Sequence, residues 1–215
     1  MLNLLRKEFK LSVHPTCFIF LSFGSMLLIP NYPYYVAFFY QTLAIFFMFM
    51  AGNATNDIFF TTLLPIRKVD AVKARVVTVV IIELMQILLS IPFAFLRYIL
   101  LPTDNMAGME ANAAFFGFVL IMFGIFNLIF LPKFYKTAYK TGWPFLNASI
   151  AMLLFIAVVE AAVNLNPAWK LSLDTINPAY LPQQLIVLVL GLIVFAALTL
   201  IGNNLSVKRF ETLDL

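Results

Sequence analysis

Charge is what this sequence has least of. Only 11% of its 215 residues are Asp, Glu, Lys or Arg, against about 25% for an ordinary soluble domain. So few charges cannot clothe a soluble surface, and with 63% hydrophobic residues most of the surface must face lipid. Cysteine is reduced to Cys17, which excludes an intrachain disulfide. Histidine is reduced to His14, next to Pro15. No Cys/His cluster is available for a metal, and an interfacial place is expected for that ring. No glycine-rich loop runs into Lys and Ser/Thr, so the usual cradle for nucleotide phosphates is missing. The net charge of +4 is spread through short segments between apolar runs, which argues against nucleic acid as a partner.

What the sequence has is a series of apolar runs. A hydrocarbon core about 30 Å thick takes roughly 20 apolar helical residues to cross. Suitable runs lie at about Pro15–Ile29, Tyr34–Ala51, Val76–Leu101, Ala113–Leu131, Pro144–Leu165 and Leu185–Leu205. The expected fold is all-α: a polytopic membrane protein of six transmembrane helices, with residues 1–215 as one transmembrane domain. The first run is short, and Tyr32, Tyr34 and Tyr35 can complete it at the interface. The third is long enough to tilt, and Pro92 marks a candidate kink. Arg6, Lys7 and Lys10 before an apolar run resemble a secretion signal, but Pro30, Asn31, Tyr32 and Pro33 follow instead of a small-residue cleavage site. The run is therefore expected to be retained as a span. Within residues 1–14, Leu2, Leu5, Phe9 and Val13 recur at helical spacing opposite Asn3, Arg6, Lys7 and Lys10. This predicts an interfacial amphipathic helix with its basic face toward anionic headgroups, or else an extension of the first span.

The basic residues give the sidedness. Arg6, Lys7 and Lys10, then Arg67, Lys68, Lys73 and Arg75, then Lys133, Lys136 and Lys140, then Lys208 and Arg209 fall in alternate segments. Only Lys170 and Arg97 fall on the other side. The positive-inside rule places both termini in the cytoplasm of a cell membrane. The outer loops, with Asp104, Glu110 and Asp174, are short and punctuated by Pro, Asn and Gly.

The segment 52–75 reads GNATNDIFFTTLLPIRKVDAVKAR. Asp57 is a good N-cap for a short helix carrying Ile58, Phe59, Phe60, Leu63 and Leu64, and Pro65 then breaks it. Asp70 can cap the next helix. A short aromatic helix in a cytoplasmic loop suits a groove on a partner, or it packs beneath the bundle as an interfacial helix.

Polar residues inside the spans are the other candidates. A charge at the bilayer centre costs about 2.5–3.5 kcal/mol on insertion scales. Glu83, Gln86, Ser90 and Arg97 fall on one stripe of the third span, and Glu160 and Asn164 lie four apart on the fifth. Gln41 and Asn127 add single polar groups on the second and fourth. These residues form a polar path for cargo or hydrogen-bond the helices together. Gly117 with Gly124, and Gly191 with Gly202, are expected to bring helices close.

The stretch Leu64-Pro65-Ile66-Arg67-Lys68, then Asp70, Val72, Lys73, Ala74 and Arg75, resembles the first cytoplasmic loop of small six-span permeases of type-2 bacterial ABC exporters. The opening Met-Leu-x-Leu-Leu-Arg-Lys-Glu-Phe resembles their starts. The resemblance implies a partner ABC ATPase in two copies, which would hold the ATP and Mg that this chain does not bind. It also implies a second permease chain, either a homodimer or a sister subunit. The helix in the loop would be the coupling helix, with Asp57, Phe59, Phe60, Leu64, Pro65, Ile66 and Lys68 engaging the ATPase and Pro132–Gly142 as a secondary contact. Gln41, Glu83, Gln86, Ser90, Arg97, Glu160 and Asn164 would line the translocation path. Short outer loops and a greasy Phe- and Met-rich wall suit export of amphipathic cargo, with membrane-active peptides first and lipids next. A stand-alone secondary transporter or channel is the alternative, weakened by the lack of an inverted repeat. An intramembrane enzyme would need a better catalytic set than one His, one Cys and isolated Glu residues. A passive scaffold would leave the polar stripe unexplained.

Overall fold

The computed structural model describes residues 2–100 and 105–213, and these are helical with no strand. The elements are α1 (Leu2–Lys7, continuing as one π turn to Ser12), α2 (Pro15–Leu21, continuing as a 3₁₀ helix to Leu28) and α3 (Tyr35–Ala54). Then come α4 (Asp57–Thr62), α5 (Lys68–Leu100), α6 (Ala113–Tyr135), α7 (Gly142–Leu165), α8 (Pro167–Leu173) and α9 (Leu181–Glu211). Five helices are long and apolar enough to cross a membrane, and the bent pair Leu2–Ser12 and Pro15–Leu28 makes a sixth crossing if counted as one span. The polytopic all-α expectation holds. Leu101 and Asp104 lie outside the described residues.

Helix α6 is the axle of the subunit. Its sequence is apolar all round, as expected for a helix buried on every side. Phe126, Phe130 and Phe134, four apart, stack along it with centroids 4.9 and 6.2 Å apart. Phe49 of α3 meets Phe130 and Phe134 edge-on at 5.0 and 4.7 Å. Phe38 does the same against Phe115, Phe116 and Phe123. These phenylalanines are core, while the exposed apolar residues of α7 and α9, such as Leu153, Leu154, Ile186 and Ile193, form outward faces.

The expected glycine packing is a single seam between α6 and α9. A Cβ on Gly117 would lie 2.6 Å from the Val187 carbonyl oxygen, and one on Gly191 would overlap the Gly117 carbonyl. Further along, a Cβ on Gly202 would lie 2.8 Å from the Asn127 carbonyl oxygen. The contacts advance in step, so the two helices run parallel at backbone contact. That is the arrangement by which small residues associate helices in lipid, where apolar burial drives little.

Two elements differ from the sequence reading. The first span is half 3₁₀: fourteen residues from Pro15 to Leu28 reach only about 24 Å at α and 3₁₀ rises. The 3₁₀ half is the longer for its residue count, which offsets the short run. The third span starts eight residues before the expected Val76 and runs unbroken through Pro92 for 33 residues, about 50 Å. His14, expected at the interface, is a helix cap: its Nδ1 accepts from the Thr16 N–H at 3.3 Å.

Helix α1 and the last turn of α9 sit at one end of the bundle. Lys7 meets Asp57, Asn53 donates to the Tyr139 carbonyl, Lys68 to that of Leu213 and Arg209 to that of Pro132. At the opposite end Asn105 donates to the Tyr32 carbonyl, and Asn112 to those of Leu173 and Thr175. The loops at that end interlock as a cap.

Candidate functional site

The basic end holds a cluster of four charges from three elements. Arg75, about two turns into α5, is ion-paired to Glu8 and to Asp57. Lys7 donates to Asp57 at 2.5 Å, to Thr61 at 2.9 Å and to Glu8 at 3.1 Å. Ser12 donates to Asp57 at 3.1 Å and accepts from Arg75 at 3.2 Å. The guanidinium also lies over the Phe49 ring, 5.4 Å from its centroid. Two cations face two carboxylates in a mostly buried site, which is the condition under which buried charges are tolerated. Burial pushes the Asp57 carboxyl up, but Arg75 and Lys7 outweigh it and hold the group below its usual range.

This cluster fixes α4 in place. Asp57 is not the N-cap: Asn56 holds that position, in the left-handed region at φ 52° and with no side-chain cap bond. The Asp57 carboxylate points back into the cluster instead. The opposite edge of α4 is apolar and uncovered, with Phe59, Phe60, Leu63 and Leu64 all exposed and Phe60 60% so. Leu64, Pro65 and Ile66 form the turn out of α4, closed by an Ile66 N–H to Leu64 carbonyl bond of 2.7 Å. The basic motif that follows divides its work. Arg67 grips Asp70 with two bonds of 2.8 and 3.1 Å, so Asp70 serves the first turn of α5 as an ion-pair partner and not as its N-cap. Lys68 donates 2.6 Å to the Leu213 carbonyl and lies over the Phe210 ring, tying down the far end of α9.

The polar stripe of α5 turns into the subunit. Glu83, Gln86, Ser90 and Arg97 are 0–3% exposed, and each has a different neighbour. Asn127 of α6 donates to Glu83 at 2.8 Å and to Thr199 of α9 at 3.1 Å, joining three helices. Gln86, with its amide nitrogen toward α2, donates to the Phe20 and Leu21 carbonyls at 3.2 Å each. These sit where the first span changes from α to 3₁₀. Ser90 bonds within its own helix and packs on Gly24, where a Cβ would come within 2.6 Å of its hydroxyl. Arg97 pairs with Glu110 at 3.0 Å and covers the Tyr34 ring at the other end of the bundle. Glu160 accepts from the Met109 N–H at 3.1 Å and does not meet Glu83. Asn164, exposed, bonds within its own helix. Gln41 is fully buried on α3.

Among the described residues, the space beside Arg97 and Glu110 is about 10 Å³. A cavity of about 20 Å³ lies beside the charge cluster, among Glu8, Thr61, Arg75, Tyr135 and Phe210. That is room for one water, against roughly 300–1,000 Å³ for a small-molecule site.

The sequence reading named none of Glu8, Ser12 and Thr61 as a site residue, and placed Lys7 on the basic face of the interfacial helix and Arg75 in the loop motif without pairing them. The available signal was a lone acid, Glu8, in an otherwise basic amphipathic segment.

The family described as ABC-2 family transporter protein matches residues 3–211, nearly the whole chain. No curated protein and no solved structure matches.

Proposed function

We propose, because the chain belongs to the ABC-2 family of transporter proteins, that it is the membrane subunit of an ATP-driven exporter of amphipathic or hydrophobic cargo, with membrane-active peptides as the first candidate. Membership makes it a transport component of an ABC transporter, and such a component works with an ABC ATPase. The finer reading is that α4 is the coupling helix. The observation that carries it is the two-sided character of α4: one edge is locked by Lys7 and Arg75 through Asp57, and the other presents Phe59, Phe60, Leu63 and Leu64 uncovered. A rigidly held aromatic edge is what a groove on a partner takes as an anchor.

In this reading two such chains and two ATPases form the complex, with the basic end in the cytoplasm by the positive-inside rule. ATP and its Mg bind the ATPase. Its closure pushes both α4 helices, and the ion pairs of Arg75 pass the push to α5. Cargo moves between the two copies. The aliphatic faces of α5, α7 and α9 suit a greasy cargo or the second copy.

The test is co-purification of the chain with candidate ABC ATPases, then ATPase activity in lipid with and without amphipathic peptides. The reading expects a stable complex stimulated by peptide. Phe59→Ala with Phe60→Ala should abolish stimulation while leaving insertion intact. A double variant that transports like the parent refutes the coupling role.

A further inference from the structure

The segment Leu2–Ser12 lies at 88° to the first span, and so along the membrane plane when that span stands upright. Its inward edge is spent on the charge cluster: Glu8 and Ser12 are buried, and Lys7 bonds Asp57. What faces out is different. Arg6 and Lys10, four apart and thus on one stripe, are exposed. Leu2 and Leu11 are exposed beside them, at 82% and 77%. The segment's one acid, Glu8, is turned inward, so its outer surface carries positive charge only. Exposed leucines next to exposed cations, on a helix in the plane of the interface, match acyl chain and anionic headgroup together.

We infer that this outer surface is a binding site for anionic phospholipid, and that its occupancy steadies α4 through the Lys7 and Glu8 edge of the same segment. A headgroup phosphate sits between Arg6 and Lys10, the leucines enter the acyl region, and α1 is held flat. A flat α1 keeps Lys7 and Glu8 on Asp57 and Arg75. The lipid site stands without the exporter reading; only its consequence for coupling rests on that reading.

The first test needs no ATPase. The full chain is purified in mild detergent, offered equal phosphatidylglycerol and phosphatidylcholine, and the retained lipid counted by native mass spectrometry. The chain should prefer phosphatidylglycerol. At about 1 kcal/mol per basic residue, Arg6→Gln with Lys10→Gln should lower that preference about 30-fold, with unchanged elution volume showing that the fold survives. Equal retention of both lipids by the parent, or an unchanged preference in the double variant, overturns the site. A double variant that keeps its lipid but loses a partner ATPase also overturns it, because the surface then docks protein. In nanodiscs, amide exchange over residues 57–62 should slow with phosphatidylglycerol relative to phosphatidylcholine in the parent and not in the double variant. Equal rates in the parent overturn the link to α4.

Discussion

Arg75 and Asp57, eighteen residues apart, are ion-paired across the turn that joins α4 to α5, and Glu8 closes the same guanidinium from the chain's first helix. Removing one partner of a buried pair leaves the other uncompensated and costs about 3–5 kcal/mol. Arg75→Met should therefore lower the thermal midpoint in detergent markedly and expose residues 55–67 to protease. Arg75→Lys keeps the charge but loses the planar fork that serves two carboxylates, and should fall between the two.

Acid should undo the same cluster. A carboxyl held below its unfolded value contributes stability that is complete above that value and lost as pH falls through the folded one. For Asp57 the ordinary value is 3.8 and the folded one is lower. The cluster's hold on α4 should therefore be intact at neutral pH and loosen only in the region below 3.8. Protection of residues 57–62 against amide exchange, followed from pH 6 downward, reads this directly. In Asp57→Asn the acid-dependent step from this group should vanish.

The seam between α6 and α9 admits no side chain. Gly191→Ala must push the helices apart, because its Cβ overlaps the Gly117 carbonyl. Overpacking of this kind costs about 1–3 kcal/mol. Gly142→Ala, which meets nothing within 4 Å, should leave the midpoint nearly unchanged. Thermal unfolding of the two variants side by side separates close packing from a general effect of replacing glycine.

Gln86 serves a junction. Gln86→Leu keeps the volume but strips the donor from the Phe20 and Leu21 carbonyls, a loss of about 0.6–2 kcal/mol for a contact between helices in lipid. The effect should localise: amide exchange should quicken over residues 20–28 and stay unchanged in α6. Uniform quickening would contradict this.

The crossings were readable in the apolar runs, and the expected bounds fall on α3, α6 and α7 within a few residues. The type of helix in the first span was not, because an apolar run satisfies α and 3₁₀ alike. The contact at the change of helix type comes from Gln86, 65 residues after Leu21 in the chain. The stripe of Glu83, Gln86, Ser90 and Arg97 was visible as a stripe, since spacing fixes the face of a helix. Its division among Asn127, the first span, Gly24 and Glu110 was not, since spacing says nothing of which helix lies opposite. Asp57 looked like a cap because capping is local and Arg75 is not. The apolar patch of Phe59 and Phe60 was legible as a patch, but whether it packs beneath the bundle or stays uncovered was not, since that depends on what lies opposite.

Helix α5 is one continuous helix, with Pro92 inside it. Arg75 near its base and Arg97 near its top are 22 residues apart on one continuous helix, about 33 Å. A rod of that length turned by about 5° at the base carries its top through about 3 Å, as much as the whole 3.0 Å span of the Arg97–Glu110 contact. A tilt that carried α5 as one body from Arg75 would therefore draw Arg97 away from Glu110 at the far end.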